Sequence, residues 1–369
     1  MRITRVDVFA KSYKLSRGPF VMSGGKVASE QDATIVRLET DTGLVGWGEQ
    51  CGFSPRYIAA HGPGARAALA LLAPAVIGLD PRLVQRVYDT MDGELKGHEY
   101  AKAAIDMACW DLWGRAADMP LRDLLGGGYR ERLPLYTGIG IGTPESMQEA
   151  CRKAIKEGYR RFQVKVGSDV QTDIARVRAC AEVLRDAELM IVDANGFWSQ
   201  HEAVRVVAAL DDLDIHFEQP CATLDQCAAV RRRSRRPLIL DESIGGYADI
   251  IRGSHMEAMD AVMMKLSRHG GITPIRRARD LCIQLGIAMT IEESGGGDIV
   301  SAAMAQIAAS IPNGLLVNAF LIGRMVEERL ATDWSPLDGG GDGTLPPGPG
   351  LGITIDESLL GEPILSAGE

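Results

Sequence analysis

Short apolar runs that close on a charged residue recur through the middle of this chain. They are Phe162-Gln163-Val164-Lys165, Met190-Ile191-Val192-Asp193, Ile215-His216-Phe217-Glu218, Leu238-Ile239-Leu240-Asp241 and Val262-Met263-Met264-Lys265. Their closing residues lie 28, 25, 23 and 24 positions apart. Each interval suits one strand plus one crossover helix and its loops. From Leu133 onward the pattern predicts strands ending near Gly138, Lys165, Asp193, Glu218, Asp241, Lys265, Ile291 and Phe320, with amphipathic helical stretches between them. Eight βα units in about 190 residues predict a (β/α)8-type TIM barrel at its compact limit. An open doubly wound sheet would place a phosphate-binding Gly-rich turn after its first strand, and Gly138-Ile139-Gly140-Ile141-Gly142 has the wrong spacing for one.

The first 50 residues alternate as antiparallel strands, with 33–39 and 44–49 flanking the turn Asp41-Thr42-Gly43. Helices are predicted over 64–72, 82–91 and, most strongly, 100–115, where apolar residues recur at three and four. Pro120 and Gly126-Gly127-Gly128 mark a boundary. The fold class is therefore α/β: an α+β capping or lid domain over 1–128, a catalytic barrel over 129–325, and a segment over 326–369 that returns to the capping domain. That last segment carries Gly339-Gly340-Gly341 and Pro346-Pro347-Gly348-Pro349-Gly350.

At 369 residues and 46% hydrophobic content the chain can bury one large core and a smaller companion. A formal charge of −9 argues against nucleic acid as a partner. The basic run Arg231-Arg232-Arg233-Ser234-Arg235-Arg236 then reads as a solvated helix terminus that complements the helix dipole. Seven scattered cysteines without a CxxC predict reduced, buried thiols, a cytoplasmic protein and no zinc site. No apolar stretch is long enough to span a membrane.

If the charged run ends cap successive barrel strands, they meet at the face where TIM barrels carry their chemistry. Asp193, Glu218 and Asp241 would supply hard oxygen ligands, which select Mg2+, or Mn2+ as a substitute, over zinc. Any one of these acids alone is an ordinary solvated loop residue. Three on successive strands would repel one another without a cation between them. Lys165 and Lys265 flank this set. A lysine near a cation and shielded from water loses its preference for the ammonium form, which lowers its pKa toward that of a general base. The matching task is removal of the proton α to a carboxylate, with the metal neutralising the enediolate. One lysine takes the proton, and the other returns it on the opposite face or protonates a leaving group.

These segments resemble the enolase superfamily, in its muconate-lactonising-enzyme subgroup, for which lysine-plus-Mg2+ enediolate chemistry is an attested pattern. Trp110-Asp111-Leu112 with Leu124-Leu125-Gly126-Gly127 is similar to the signature at the start of the barrel. Val192-Asp193-Ala194-Asn195-Gly196, Phe217-Glu218-Gln219-Pro220 and Leu240-Asp241-Glu242-Ser243 are similar to the metal-ligand segments. Val164-Lys165-Val166-Gly167 and Met264-Lys265-Leu266-Ser267 are similar to the lysine segments. The resemblance implies Asn195 and Glu242 as supports for the ligands, and a homo-oligomer, either dimer or octamer. Where the subgroup carries Lys-x-Lys, this chain has Gln163, which removes a neighbouring ammonium and is expected to raise the pH optimum. A His-Asp dyad of the mandelate-racemase kind is disfavoured, because Thr290-Ile291-Glu292-Glu293 stands at the seventh strand end.

The resemblance also implies that lid loops choose the substrate, here Phe20-Val21-Met22-Ser23-Gly24-Gly25 and the stretch from Cys51 to Tyr57. Gln163, Tyr57, Glu293 and Phe320 are the expected substrate contacts, Glu293 for an ammonium and Phe320 as an apolar or cation–π wall. Gly97-His98-Glu99-Tyr100, Pro220-Cys221-Ala222-Thr223 and Gly296-Gly297-Asp298 are similar to the branch of hydroxyproline-betaine 2-epimerases and cis-3-hydroxyproline dehydratases. The expected partner is thus a small-molecule carboxylate. Its expected reaction is 2-epimerisation of a proline-type amino acid or betaine, with dehydration of a cis-3-hydroxyproline as the alternative. Dipeptide or N-acylamino-acid racemisation and cycloisomerisation keep the same site. Asn318-Ala319-Phe320 lacks the Asp-x-Asp of dipeptide epimerases. A non-catalytic scaffold would have lost at least one of the five charged residues, and none is missing.

Overall fold

A computed structural model of the chain describes residues 1–339 and 341–369; Gly340, in the glycine run of the tail, lies outside the described residues. The chain begins with β1 (Ile3–Lys14), the small hairpin β2 (Phe20–Met22) and β3 (Lys26–Ala28), then β4 (Glu30–Thr40) and β5 (Val45–Cys51). Helices α1 (Gly62–Val76), α2 (Val84–Glu94), α3 (Glu99–Ala117) and the short α4 (Leu121–Leu124) follow. The barrel then runs β6 (Thr137–Ile139), α5 (Pro144–Lys156), β7 (Arg161–Lys165), α6 (Val170–Val183), β8 (Leu189–Asp193), α7 (Gln200–Ala209), β9 (His216–Glu218) and α8 (Leu224–Arg231). It continues with β10 (Leu238–Leu240), α9 (Tyr247–His255), β11 (Ala261–Met264), α10 (Leu266–His269), α11 (Ile272–Leu285), β12 (Ala288–Ile291), α12 (Asp298–Ala309) and β13 (Leu316–Ala319). The last strand, β14 (Leu365–Gly368), pairs antiparallel with β1 at the edge of the N-terminal sheet, whose order is β14-β1-β4-β5.

Strands β6 to β13 pair in chain order in one eight-stranded sheet. The sheet closes through the Leu135–Ala319 bridge, where the Ala319 amide donates to the Pro134 carbonyl at 2.9 Å. Each of the eight expected strand ends is present. After β13, however, the chain makes only a 3-10 turn (Ile322–Met325) before the Gly/Pro-rich tail. Proline and glycine there disfavour an eighth crossover helix.

Alternation along the strands sorts the barrel. Phe162, Val164, Val192, Phe217, Leu240, Val262, Met264 and Ile291 belong to the large core beneath the helices. Ile191, Ile239 and Ala261 form a separate apolar plug inside the barrel. Because strand side chains alternate with a period of two, residues two beyond the plug positions Ile191 and Ile239 also point inward. Those residues are Asp193 and Asp241. The same parity puts Lys165 with Gln163 and Glu292 with Thr290.

Helix α3 differs from its expected one-sided pattern, since 14 of its residues are buried, on every face. It lies between the N-terminal sheet and the barrel, which is the setting that buries a helix all round. Contact with β5 is close: a Cβ at Gly48 would sit 1.8 Å from the Ala104 carbonyl oxygen. On the barrel side Trp110 Nε1 donates to Thr273 Oγ1 at 2.8 Å, and Asp106 accepts from the Thr273 amide at 2.9 Å. These bonds fasten the capping domain to the start of α11.

The basic run ends α8 as expected, and three of its five charges pair with acids: Arg231 with Asp260, Arg235 with Asp211 and Arg236 with Asp214. All seven cysteines are buried and free. Among the described residues no helix is long and apolar enough to cross a membrane.

Candidate active site

The three acids stand on adjacent strands. Asp193 pairs in register with Glu218, and Glu218 with Ile239, two residues before Asp241. All three are at most 1% exposed. Asn195 holds Asp193 from its backbone amide (2.7 Å) and its side chain (3.0 Å), and the same amide group reaches Glu242 at 3.0 Å. Asn195 sits at φ 45°, a left-handed conformation that asparagine tolerates better than most residues. Gln219 braces the next segment by accepting from the Asp241 amide at 2.8 Å.

Gln163 donates to Glu218 Oε2 at 2.8 Å, so the residue that replaces the expected lysine steadies a carboxylate. The other oxygen, Glu218 Oε1, is buried with no hydrogen-bond partner, as is Glu242 Oε2. Burial, followed by the charge of Asp193, pushes Glu218 well above the usual carboxylate range. An all-oxygen donor set with an orphaned buried oxygen fits a hard divalent cation. Among the described residues, no group of three or more acids, histidines or cysteines is drawn together tightly enough to hold one as it stands. Two lysines border the acids. Lys165 Nζ is bonded to Asp193 Oδ2, and Lys265 Nζ lies 2.6 Å from Asp241 Oδ2. Asp193, Glu218 and Asp241 would hold the ion once these ammonium groups withdraw.

Burial alone lowers the pKa of Lys165. The charges of Asp193, Glu218 and Glu292 outweigh it and hold the ammonium above the ordinary lysine range. For Lys265, Asp241 and Glu292 likewise outweigh burial. The lowering expected from the sequence concerns a lysine beside a bound cation, whose charge would oppose these carboxylates. Arg268 adds a third cation, donating to the Asp241 carboxylate at 2.5 Å and to its carbonyl at 2.6 Å. Arg268 and Lys265 hold Asp241 below the usual carboxylate range against the opposing effect of burial.

A cavity opens above the site and is lined by Gln163, Lys165, Glu292, Glu293, Ser294 and Phe320, with aromatic walls from Phe20, Phe53, Tyr57 and Tyr136. The lid contributes Phe20, Met22, Phe53 and Tyr57, and it is seated on the barrel. Gly24 N donates to the Gly167 carbonyl at 3.3 Å, and Ser23 Oγ lies 2.9 Å from Asn195 Oδ1. Lys265 is not on the lining. Two residues that are, Tyr57 and Glu292, each sit 2.6 Å from its Nζ. Tyr57 also donates to Asp241 at 3.0 Å.

Glu293 does not offer a free carboxylate. It accepts from the Ser267 amide (2.7 Å) and hydroxyl (2.6 Å) and from the Ser294 amide (2.6 Å). The acid paired with Lys265, at 2.6 Å, is Glu292, one residue earlier, while Glu293 reaches the same cavity with its carboxylate held by Ser267 and Ser294. Tyr136, which donates to Glu292 and whose ring lies tilted against that of Phe320 at 5.1 Å, was not anticipated. It precedes β6 by one residue, and its signal was the aromatic at the mouth of the first barrel strand. Arg268 was missed too. It lies three residues after Lys265, within the short helix α10.

Comparison with known proteins agrees with this architecture. Residues 3–126 match the N-terminal domain of the mandelate racemase/muconate lactonizing enzyme family, and 146–359 match the enolase C-terminal domain-like family. The chain is 42% identical over 364 residues to a cis-3-hydroxy-L-proline dehydratase from Roseibium aggregatum, covering 99% of each. It is 31% identical over 316 residues to an N-succinyl-L-Arg/Lys racemase from Bacillus cereus, covering 84% of this chain and 85% of that one. In structure it superposes on an enolase-superfamily member from Roseovarius nubinhibens complexed with magnesium, with a TM-score of 0.94, 38% identity and full coverage of both chains. The two-domain match, the full-length likeness and the shared barrel establish that this chain belongs to the enolase superfamily, in the muconate-lactonizing subgroup of racemases, epimerases and dehydratases.

Proposed function

We propose that the chain is a Mg2+-dependent enzyme that moves the proton α to the carboxylate of a proline-type amino acid. Its leading reaction is dehydration of a cis-3-hydroxyproline, and 2-epimerisation is the second outcome of the same proton removal. The observation that carries this reading is the placement of Lys165 and Lys265 at one barrel mouth, with Asp193, Glu218 and Asp241 between them. A bound Mg2+ would supply neutralisation of the charge that builds on the substrate carboxylate. Lys165, which lines the cavity, is placed to exchange a proton at Cα from one side. Lys265, held by Tyr57 and Glu292, is placed to serve the other side, or to protonate a departing 3-hydroxyl that leaves as water. Dehydration now precedes epimerisation in order of preference because the relative of 42% identity that spans the chain is a dehydratase.

The test is proton NMR in D2O with Mg2+ on cis-3-hydroxyproline, other hydroxyprolines, proline, dipeptides and N-acylamino acids. Loss of the 3-hydroxyl signals dehydration, and deuterium at Cα with inversion signals epimerisation. Lys165→Ala and Lys265→Ala should each lower turnover by at least about 100-fold. Chelation of the metal should abolish it. Full activity without metal, or in either lysine variant, would refute the scheme.

A further inference from the structure

We propose that Glu292, Tyr136 and Ser294 form an ammonium subsite that demands an N–H donor, so the substrate is a free cyclic secondary amine and not its quaternary betaine. This rests on the cavity being the seat of α-proton transfer. Glu292 reaches the cavity from the inward face at the end of β12. Its carboxylate accepts from the Tyr136 hydroxyl and pairs with Lys265 at 2.6 Å. A carboxylate offers about four lone-pair sites, so these two partners leave room for a ligand donor. Ser294 lines the same cavity at 7% exposure, and its hydroxyl has no partner. A buried polar atom without a partner is costly, and a ligand N–H or hydroxyl would satisfy it.

The neighbouring acid is less available, because Glu293 already accepts from three donors, the Ser267 amide and hydroxyl and the Ser294 amide. Protonated proline carries two N–H donors, while its betaine carries none. Seating a quaternary nitrogen there would leave Glu292 and Ser294 without a ligand donor and set its methyl groups against them. Sites built around a hydrogen bond reject analogues lacking the donor strongly, by up to about 10⁴-fold or more. The opposing possibility is that the aromatic walls Phe20, Phe53 and Phe320 hold a quaternary ammonium through their faces.

The experiment compares kcat/KM for Cα exchange or dehydration by the Mg2+-loaded protein on four probes: L-proline, cis-3-hydroxy-L-proline and the N,N-dimethyl betaine of each. The free amines should exceed their betaines by at least about 100-fold. Glu292→Gln should shrink that preference at least about tenfold, through KM for the free amine, and Ser294→Ala should shift it in the same direction by a smaller factor. Betaines processed as well as the free amines would overturn the subsite while leaving the proton-transfer reading intact. An equal fall in kcat on both probe classes in Glu292→Gln would also overturn it, since Glu292 would then act only through Lys265. Silence with all four probes would overturn the subsite and the proline-type reading together.

Discussion

Replacing Tyr57 by Phe removes one hydroxyl that touches both halves of the candidate machinery. That hydroxyl accepts from Lys265 Nζ at 2.6 Å and donates to Asp241 Oδ2 at 3.0 Å. A hydrogen bond to a charged group contributes about 1.5–3 kcal/mol. Asp241 and Glu292 keep their hold on Lys265 at 2.6 Å each, so the lower end applies. About 1.5 kcal/mol corresponds to roughly a tenfold change in rate. Lys165 is bonded instead to Asp193. The effect should therefore fall on one face of the substrate. Wash-in of deuterium at Cα, followed by NMR separately for the two enantiomers of the substrate, reads each face. Lys265→Ala identifies the enantiomer that Lys265 serves. In Tyr57→Phe that enantiomer should exchange about tenfold more slowly, while the other changes less than about twofold. Equal slowing of both enantiomers, or of neither, would refute the placement of Tyr57 as the group that orients Lys265.

Removing Arg268 strips a cation from a carboxylate that is fully enclosed by protein. Arg268→Met should destabilise the fold by about 3 kcal/mol, measured by urea unfolding, because one partner of a buried pair is left behind; an unchanged midpoint would refute the pairing of Arg268 with Asp241. Glu49 makes a prediction about pH. Burial pushes its carboxyl up to about 7, against the amides of Val300 and Gly297, which donate to it at 3.0 and 2.8 Å. The folded chain then retains a proton that the unfolded chain releases near the ordinary glutamate value, so this group's contribution declines as pH rises from about 4.5 to about 7. The decline amounts to ~3 kcal/mol at most. Glu49→Gln should flatten the stability profile over that window, and a slope identical to the wild type would refute the assignment.

Much of the candidate site was legible because two simple periods converge on it. An apolar run that ends on a charge marks a buried strand reaching its solvent end, and near-constant spacing marks repeated βα units. Together they locate Lys165, Asp193, Glu218, Asp241 and Lys265 without any knowledge of contacts. The choice between Glu292 and Glu293 was also accessible in principle. Carrying the alternation of Thr290 and Ile291 one step further turns Glu292 toward Lys265, while Glu293, the expected contact, also borders the cavity. Gln163 shows a different limit. Its identity was visible, but its bond to Glu218 depends on β7 and β9 lying one strand apart inside a closed barrel.

The sequence by itself determined the order of elements, the barrel, the strand-end chemistry and the capping domain. These depend on patterns local to each segment: side-chain alternation, helical periodicity and turn residues. Only the tertiary structure decided which partner each charge takes. Tyr57 meets Lys265 across 208 positions, Tyr136 meets Glu292 across 156, and Arg268 meets Asp241 across 27. Such pairings follow from barrel closure and from the lid being seated over the mouth. The energy of a buried charge depends on every neighbour within a few ångströms, and local sequence does not list those neighbours.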